Sequence, residues 1–232
     1  MENKFDRSKH VFYSDAFAEI IKDTIRFFNG TPVHHLPPPE NFIGTGVYAL
    51  YYTGAYPLYK HLYEMNRLEY SQPIYIGKAV PRGWRQGRLQ ESTNELYRRL
   101  CDHANSIRQA YNLSLEDFHC RFMILEDAAA DMIGTVEAAL IRNYYPLWNS
   151  TVDGFGNHDP GSGRYEQAIS DWDVLHPGRG WAERLNGTGL SKEEIENKIA
   201  EKGLRNQVFV IVHLSNGIRM PVRLLDKTLV NH

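Results

Sequence analysis

The sequence predicts an α+β fold, α/β in the wider sense, built on a small mixed β-sheet flanked by helices. Three observations predict it. Short runs rich in valine, tyrosine and isoleucine occupy 46–53, 73–78 and 119–125. Apolar residues recur at helical spacing over 92–110 and 127–145. The order of these segments is two strands, helix, strand, helix, which is that of a small catalytic core.

Each element has a local reason. Over 14–28 the apolar spacing is helical, with Ser14 as N-cap and Gly30 as the stop. The prolines among 32–39 favour an extended linker or arm. His34 and His35 lie in it, and adjacent residues of an extended chain point opposite ways, so they are read as linker rather than a metal pair. Residues 57–68 carry Leu58, Leu62 and Met65 at helical spacing, within an insertion at about 54–72 that separates the first two strands. Ser92 and Glu95 form a capping box for the helix that runs to 110. The helix over 127–145 ends before Pro146.

After Asn149 the texture changes. Glycine, asparagine and aspartate crowd 153–164, and a short helix is expected over 165–172. Ser191 and Glu194 form a second capping box, for a helix ending at Gly203. The runs 207–214 and 218–224 pair as a hairpin across Ser215-Asn216-Gly217. The chain thus divides into an N-terminal helix and Pro-rich arm (1–41), a catalytic core (42–150) and a C-terminal extension packed on the core (151–232).

Composition excludes several classes. The N-terminus is charged from the start and lacks the apolar segment of a signal peptide. The strongest apolar run, 208–214, is too short to span a bilayer as a helix. Cys101 and Cys120 sit in apolar sequence and read as buried thiols of a reducing compartment, neither a disulfide framework nor a zinc site. No histidine pair has a convincing zinc spacing. An intracellular, cytoplasmic protein with no membrane partner is expected. The net charge is only −2, but seven basic residues against three acids lie between Lys78 and Arg108. Such a segment suits a DNA-facing surface as well as an ordinary solvated face.

Two helices place ionisable groups towards the core. Glu137 falls inside the stripe of Ile133, Val136, Leu140, Ile141 and Tyr144, where a carboxylate needs a metal ion or an arginine unless it reaches water at the helix edge. Arg99 and His103 lie four apart, on or beside the stripe of Leu96, Leu100 and Ile107. Taken alone, that helix fits Arg99 pairing with Glu95 and His103 as a satisfied core histidine. Two such helices in one chain favour a shared site. On the strands, Gly46-Val47-Tyr48 and Tyr75-Ile76-Gly77 each set a tyrosine and a β-branched residue beside a glycine.

In order, these residues resemble the GIY-YIG nucleases. Gly46-Val47-Tyr48 and Tyr75-Ile76-Gly77 match the paired motif, with valine in place of the central isoleucine. Arg99 and His103 match its helical arginine and the histidine or tyrosine one turn later, Glu137 its glutamate and Asn149 its final asparagine. The resemblance covers about 42–150. One departure stands out: the two tyrosine motifs are separated by residues 49–74, a longer interval than the family's usual dozen or so. That insertion, the histidine and the C-terminal extension point to the Type II restriction enzymes.

The resemblance implies a Mg²⁺-dependent endonuclease, Mn²⁺ substituting, acting on double-stranded DNA at a short GC-containing palindrome as a prokaryotic homodimer. A companion DNA methyltransferase is expected functionally, not as a bound partner. Glu137 would hold the metal and Arg99 the scissile phosphate. Tyr48 would be the general base, with His103 or Lys78 taking its proton or stabilising the phenolate, because a free phenol's pKa of about 10 is too high. Tyr75 would orient water or phosphate and Asn149 buttress the site. Arg82, Arg85, Arg88, Arg164 and Arg179 are candidates for reading bases or holding phosphates. The alternatives are a structure-specific repair or homing nuclease of the same superfamily and an inactive DNA-binding protein.

Overall fold

Seven consecutive residues of one strand, Gly46–Tyr52 (β2), are buried, a pattern expected of a strand covered on both faces. The computed structural model describes residues 5–80, 93–206, 209–213 and 219–223, with side chains through residue 201. In it β2 lies inside a four-stranded sheet with β1 (Val33–His35), β3 (Tyr75–Ala79) and β4 (Phe118–Ile124), in the order β1-β4-β2-β3. One face packs on α1 (Asp15–Gly30) and α4 (Ile133–Tyr144) through Val47, Ala49, Tyr51, Ile76, Phe28, Val136 and Leu140. The other buries Tyr48, Leu50 and Tyr52 against α3 (Glu95–Gln109), with Leu96, Leu100, Ala104 and Ile107. Each valine, leucine, isoleucine or phenylalanine side chain so buried contributes about 1.5–3 kcal/mol.

The α+β class holds, but every pairing in this sheet is antiparallel where a mixed sheet was expected. The reason is topological. β3 and β4 run in the same direction and are joined through α3, but β2 lies between them. A strand–helix–strand order therefore does not produce parallel neighbours here.

The proline-flanked arm is a second correction. Val33–His35 is a strand that pairs with β4, His34 opposite Cys120, and gives partners to backbone groups on an edge. Helix α1 starts as expected, with Ser14 Oγ accepting from Phe17 N at 3.2 Å. The insertion forms α2 (Lys60–Glu69) after a 3₁₀ turn, and it packs on β2. The segment 127–145 begins as a 3₁₀ helix, Asp127–Met132, before α4 takes over. Pro146 is followed by a single turn, α5 (Leu147–Ser150).

Beyond residue 150 the chain shares the core instead of forming a separate one. Val152, Phe155, Trp172, Leu175, Ile195 and Ile199 join the cluster around Tyr48. The helix expected over 165–172 lies later, as α6 (Asp171–Leu175), where Ser170 Oγ accepts from Asp173 N and supplies the N-cap. The second capping box forms as read: Ser191 Oγ accepts from Glu194 N, and Glu194 Oε2 accepts from Ser191 N at 2.7 Å. The helix it opens, α7 (Lys192–Asn206), runs past Gly203. β5 (Phe209–His213) and β6 (Arg219–Arg223) pair antiparallel. Both cysteines are free thiols, Cys120 buried and Cys101 only half-buried. Among the described residues no helix is long and apolar enough to cross a membrane.

A buried tyrosine–histidine pair ties the insertion to the C-terminal half. Tyr59, just before α2, meets His176 Nε2 at 2.5 Å and accepts from Trp148 Nε1 at 3.0 Å. His176 Nδ1 lies 2.9 Å from Asn112 Oδ1, so each polar atom of this chain of contacts has a partner. Burial pushes the His176 imidazole down to about 3, which keeps it neutral.

Candidate active site

Tyr48 and Tyr75 emerge from neighbouring strands on the α3 face of the sheet, their rings 6.3 Å apart. Tyr48 lies directly across from Gly77, and its phenol lies over that glycine. A Cβ on residue 77 would come within 2.4 Å of the Tyr48 oxygen and 2.6 Å of its Cζ. The glycine of the second triplet is therefore required by the tyrosine of the first. That of the first triplet has its own reason, since a Cβ on Gly46 would fall 2.0 Å from the Met123 carbonyl oxygen across the ladder. Gly77→Ala is expected to lower stability by about 1–3 kcal/mol through overpacking, read as a lower urea midpoint at unchanged slope. Unchanged stability would mean that the phenol moves freely.

Helix α3 brings His103 onto the same spot. His103 Nε2 is 2.6 Å from the Tyr48 hydroxyl, and both residues are buried. Burial first, then the charge of Arg99, holds the imidazole well below its usual range. A neutral His103 accepts the phenolic hydrogen at Nε2, which places the ring proton on Nδ1. Burial also pushes the Tyr48 phenol well above its ordinary value, with Tyr75 and Glu137 adding to the shift and Arg99 opposing it. Tyr75 is raised too, chiefly by burial. The pair rests as phenol and neutral imidazole.

Arg99 reaches the site from one turn earlier on α3. Its neighbour Arg98, not Arg99, pairs with Glu95. The Arg99 Nη1 instead lies 2.6 Å from His158 Nε2 on the glycine-rich loop, and Asp102 is 4.0 Å away. On the opposite face of the sheet Lys78 reaches the Glu137 carboxylate at 2.5 Å, with the glutamate 19% exposed. β3 is an edge strand of this sheet, and the Glu137 charge reaches both tyrosines across it, adding to the rise of each phenol. Of the two helpers suggested for Tyr48, His103 touches the phenol and Lys78 pairs with Glu137.

Asn149 satisfies the same edge. Its Oδ1 accepts from Ile76 N and its Nδ2 donates to Ile76 O, both at 2.8 Å. One amide side chain thus replaces a neighbouring strand at the residue between Tyr75 and Gly77. Trp148 N adds a bond to Ile74 O at 2.9 Å.

Among the described residues no three histidines, cysteines or acids cluster to hold a metal ion. Glu137 is the carboxylate beside the tyrosines, and its Oε1 accepts from no described residue. That set fits a hydrated hard cation held by one protein carboxylate, with substrate and water as the other ligands.

The arginines divide. Arg82, Arg85 and Arg88 lie outside the described residues, as does the Ser92 of the capping box. Arg164 is exposed, as the last residue of a 3₁₀ turn. Arg179 overturns its reading as a DNA contact: it is 1% exposed and ion-paired to Asp173. Its remaining donors go to the carbonyls of Gly154, Phe155 and Asn157. An arginine beside glycines in sequence looks like a loop cation, and only the fold shows that it holds the loop from inside.

That loop is what sequence reasoning missed. Phe155 stacks on the His103 ring at 4.7 Å, and a Cβ on Gly156 would meet the Tyr75 hydroxyl at 2.9 Å. The crowding of glycine near a tyrosine-rich core was the available signal.

The family described as the Eco29kI GIY-YIG domain matches residues 40–202, more than half of the chain, and it includes the loop and α6 as well as the core. No curated protein matches the chain. The chain belongs to the GIY-YIG nucleases, in the restriction-endonuclease branch that the Eco29kI domain represents.

Proposed function

We propose that the chain is a site-specific endonuclease that hydrolyses double-stranded DNA with one Mg²⁺ per active site. The observation that carries this reading is the 2.6 Å contact of Tyr48 with His103 in a buried site flanked by the Arg99 guanidinium and the Glu137 carboxylate. A nuclease needs a base for water, a cation for the phosphate and an anchor for the metal. These four side chains supply one of each, with His103 completing the base.

The Tyr48 oxygen takes a proton from the attacking water while its own proton passes to His103 Nε2, leaving an imidazolium. The hydroxide formed bonds to phosphorus, and the bond from phosphorus to the leaving oxygen breaks. Imidazolium is disfavoured while no phosphate sits on Arg99, because burial and that charge both oppose it. A phosphate on Arg99 offsets the charge, so substrate binding itself makes His103 a better proton acceptor. Arg99 offers a forked set of donors to the phosphate oxygens. Tyr75 orients water or phosphate. Asn149 fixes β3 so that Tyr75 and Lys78 are presented, and Lys78 keeps the Glu137 carboxylate aimed across the sheet edge. Glu137 would hold the ion, which when bound neutralises charge on the phosphate and the leaving oxygen.

Recognition of a short GC-containing palindrome by a homodimer is part of the proposal, because a two-fold protein matches a two-fold site. Arg82, Arg85, Arg88 and Arg164 are the candidates for guanine edges and phosphates. Host DNA then needs protection, by a methyltransferase that acts on DNA without binding this chain.

The test is digestion of several plasmids by wild type and by Glu137→Ala, with Mg²⁺ and with EDTA. Discrete Mg²⁺-dependent fragments that vanish with Glu137→Ala are expected. Branch-dependent nicking without discrete fragments would make the chain a repair nuclease of the same superfamily, and no cleavage at all would make it a binding protein.

A further inference from the structure

Arg99 does not approach the site unaccompanied. Its Nη1 is 2.6 Å from His158 Nε2, a histidine fifty-nine positions away on the loop that follows α5. The loop has partners on both sides of His158. Before it, the carbonyls of Gly154, Phe155 and Asn157 accept from the buried Arg179 guanidinium at 2.9–3.2 Å. After it, the Asp159 carboxylate accepts from Arg184 at 2.8 Å and from the Gly161 N–H at 2.8 Å. The loop has little freedom to slide. Gly154 has φ +96°, and a Cβ there would fall 2.0 Å from Ser170 Oγ. The same few residues place Phe155 flat on His103 and Gly156 against Tyr75.

A guanidinium on a helix surface samples several rotamers and loses conformational entropy when it must meet a phosphate in one orientation. An imidazole nitrogen that accepts from one of its N–H groups removes part of that freedom before substrate arrives. The guanidinium also lies against the Tyr48 phenol, and its fork can still turn donors to a phosphate. This requires a neutral imidazole accepting at Nε2. The groups facing it are Arg98, Arg99 and Asp102 from α3 and Arg179 from beneath the loop. The ring is exposed, but its partial desolvation and the net positive charge of that set both favour the neutral form.

We infer that His158 is a positioning residue of the nuclease site, accepting from Arg99 through Nε2 and holding the guanidinium in the orientation that receives the scissile phosphate. The inference rests on the nuclease reading above and adds to it a wall of the site contributed from beyond residue 150. Because His158 acts through Arg99, its loss changes the chemical step more than the affinity for a duplex. Most of that affinity comes from phosphate contacts elsewhere.

The test compares wild type, His158→Ala and His158→Gln in steady-state cleavage of a duplex that wild type cuts, with thermal melting of all three proteins. The glutamine side chain of His158→Gln sets an amide oxygen near the place of Nε2 and keeps an acceptor for Arg99. His158→Ala is expected to lose about tenfold to a hundredfold in kcat, the range for a misplaced catalytic contact, with KM changed less than about threefold. His158→Gln is expected to stay within about fivefold of wild type. Melting within a few degrees of wild type for both variants shows that the loop still folds. Wild-type kcat in His158→Ala, or a Gln variant as slow as the Ala variant at equal melting temperature, overturns the inference while leaving the nuclease reading intact. A wild type that cuts no plasmid overturns the nuclease reading and this inference with it.

Discussion

Tyr48→Phe is expected to bind DNA as wild type does and to cleave it about a hundredfold to ten-thousandfold more slowly, the range for losing a general base. The phenylalanine ring keeps the volume above Gly77 and the packing against Tyr75, so the site retains its shape. What disappears is the oxygen that carries a proton between water and His103. His103 Nε2 is then buried without the hydrogen it accepts, which costs about 1–3 kcal/mol of stability. That is too little to unfold an ordinary domain. Single-turnover cleavage, set beside a gel-shift titration in EDTA, separates the two effects. A Tyr48→Phe protein that cuts at the wild-type rate would remove Tyr48 from the role of base and leave it as a packing residue over the glycine.

Much of this arrangement was legible in the sequence because it is local or periodic. Tyr48 and Tyr75 are visible as strand tyrosines beside glycines, and Arg99, His103 and Glu137 as polar groups on apolar helix stripes. Asn149 follows them in the family's order, and the structure gives it a physical task at the β3 edge. The three-residue strand Val33–His35 was hidden because prolines dominate the signal around it, while pairing with β4 decides its conformation. The antiparallel sheet was hidden because element order does not say which strand is inserted between β3 and β4. The contacts of His158 with Arg99 and of Arg179 with Asp173 depend on how a glycine-rich loop folds back, which no period of 2.0 or 3.6 encodes. Arg179 shows the consequence plainly: the residue type suggested an exposed cation, and the fold gives it a sealed compartment.

That compartment yields the largest expected change in stability. Arg179 lies between the rings of Trp172 and Trp181, at 4.5 and 4.7 Å from their centroids, and gives Nε to Asp173 Oδ1 and Nη2 to Oδ2, both at 2.6 Å. Asp173 is 2% exposed and Arg179 1%, so water does not screen the pair. Asp173→Ala leaves a buried guanidinium with only carbonyls and aromatic faces, and a loss of about 3–5 kcal/mol is expected. In a chain of this size that lowers the melting temperature by roughly 6–20 °C. Replacing both partners by apolar residues, as in Asp173→Leu with Arg179→Met, removes the stranded charge and is expected to restore part of the loss. The double variant still lacks the donors that hold the carbonyls of Gly154, Phe155 and Asn157. It should therefore regain stability faster than it regains cleavage, because those carbonyls set where Phe155 and His158 meet the site. Calorimetry and cleavage on the same two variants check this. A single Asp173→Ala protein as stable as wild type would mean that Arg179 leaves its compartment at little cost. In that case the loop would owe its position to the Phe155 and Trp172 packing alone.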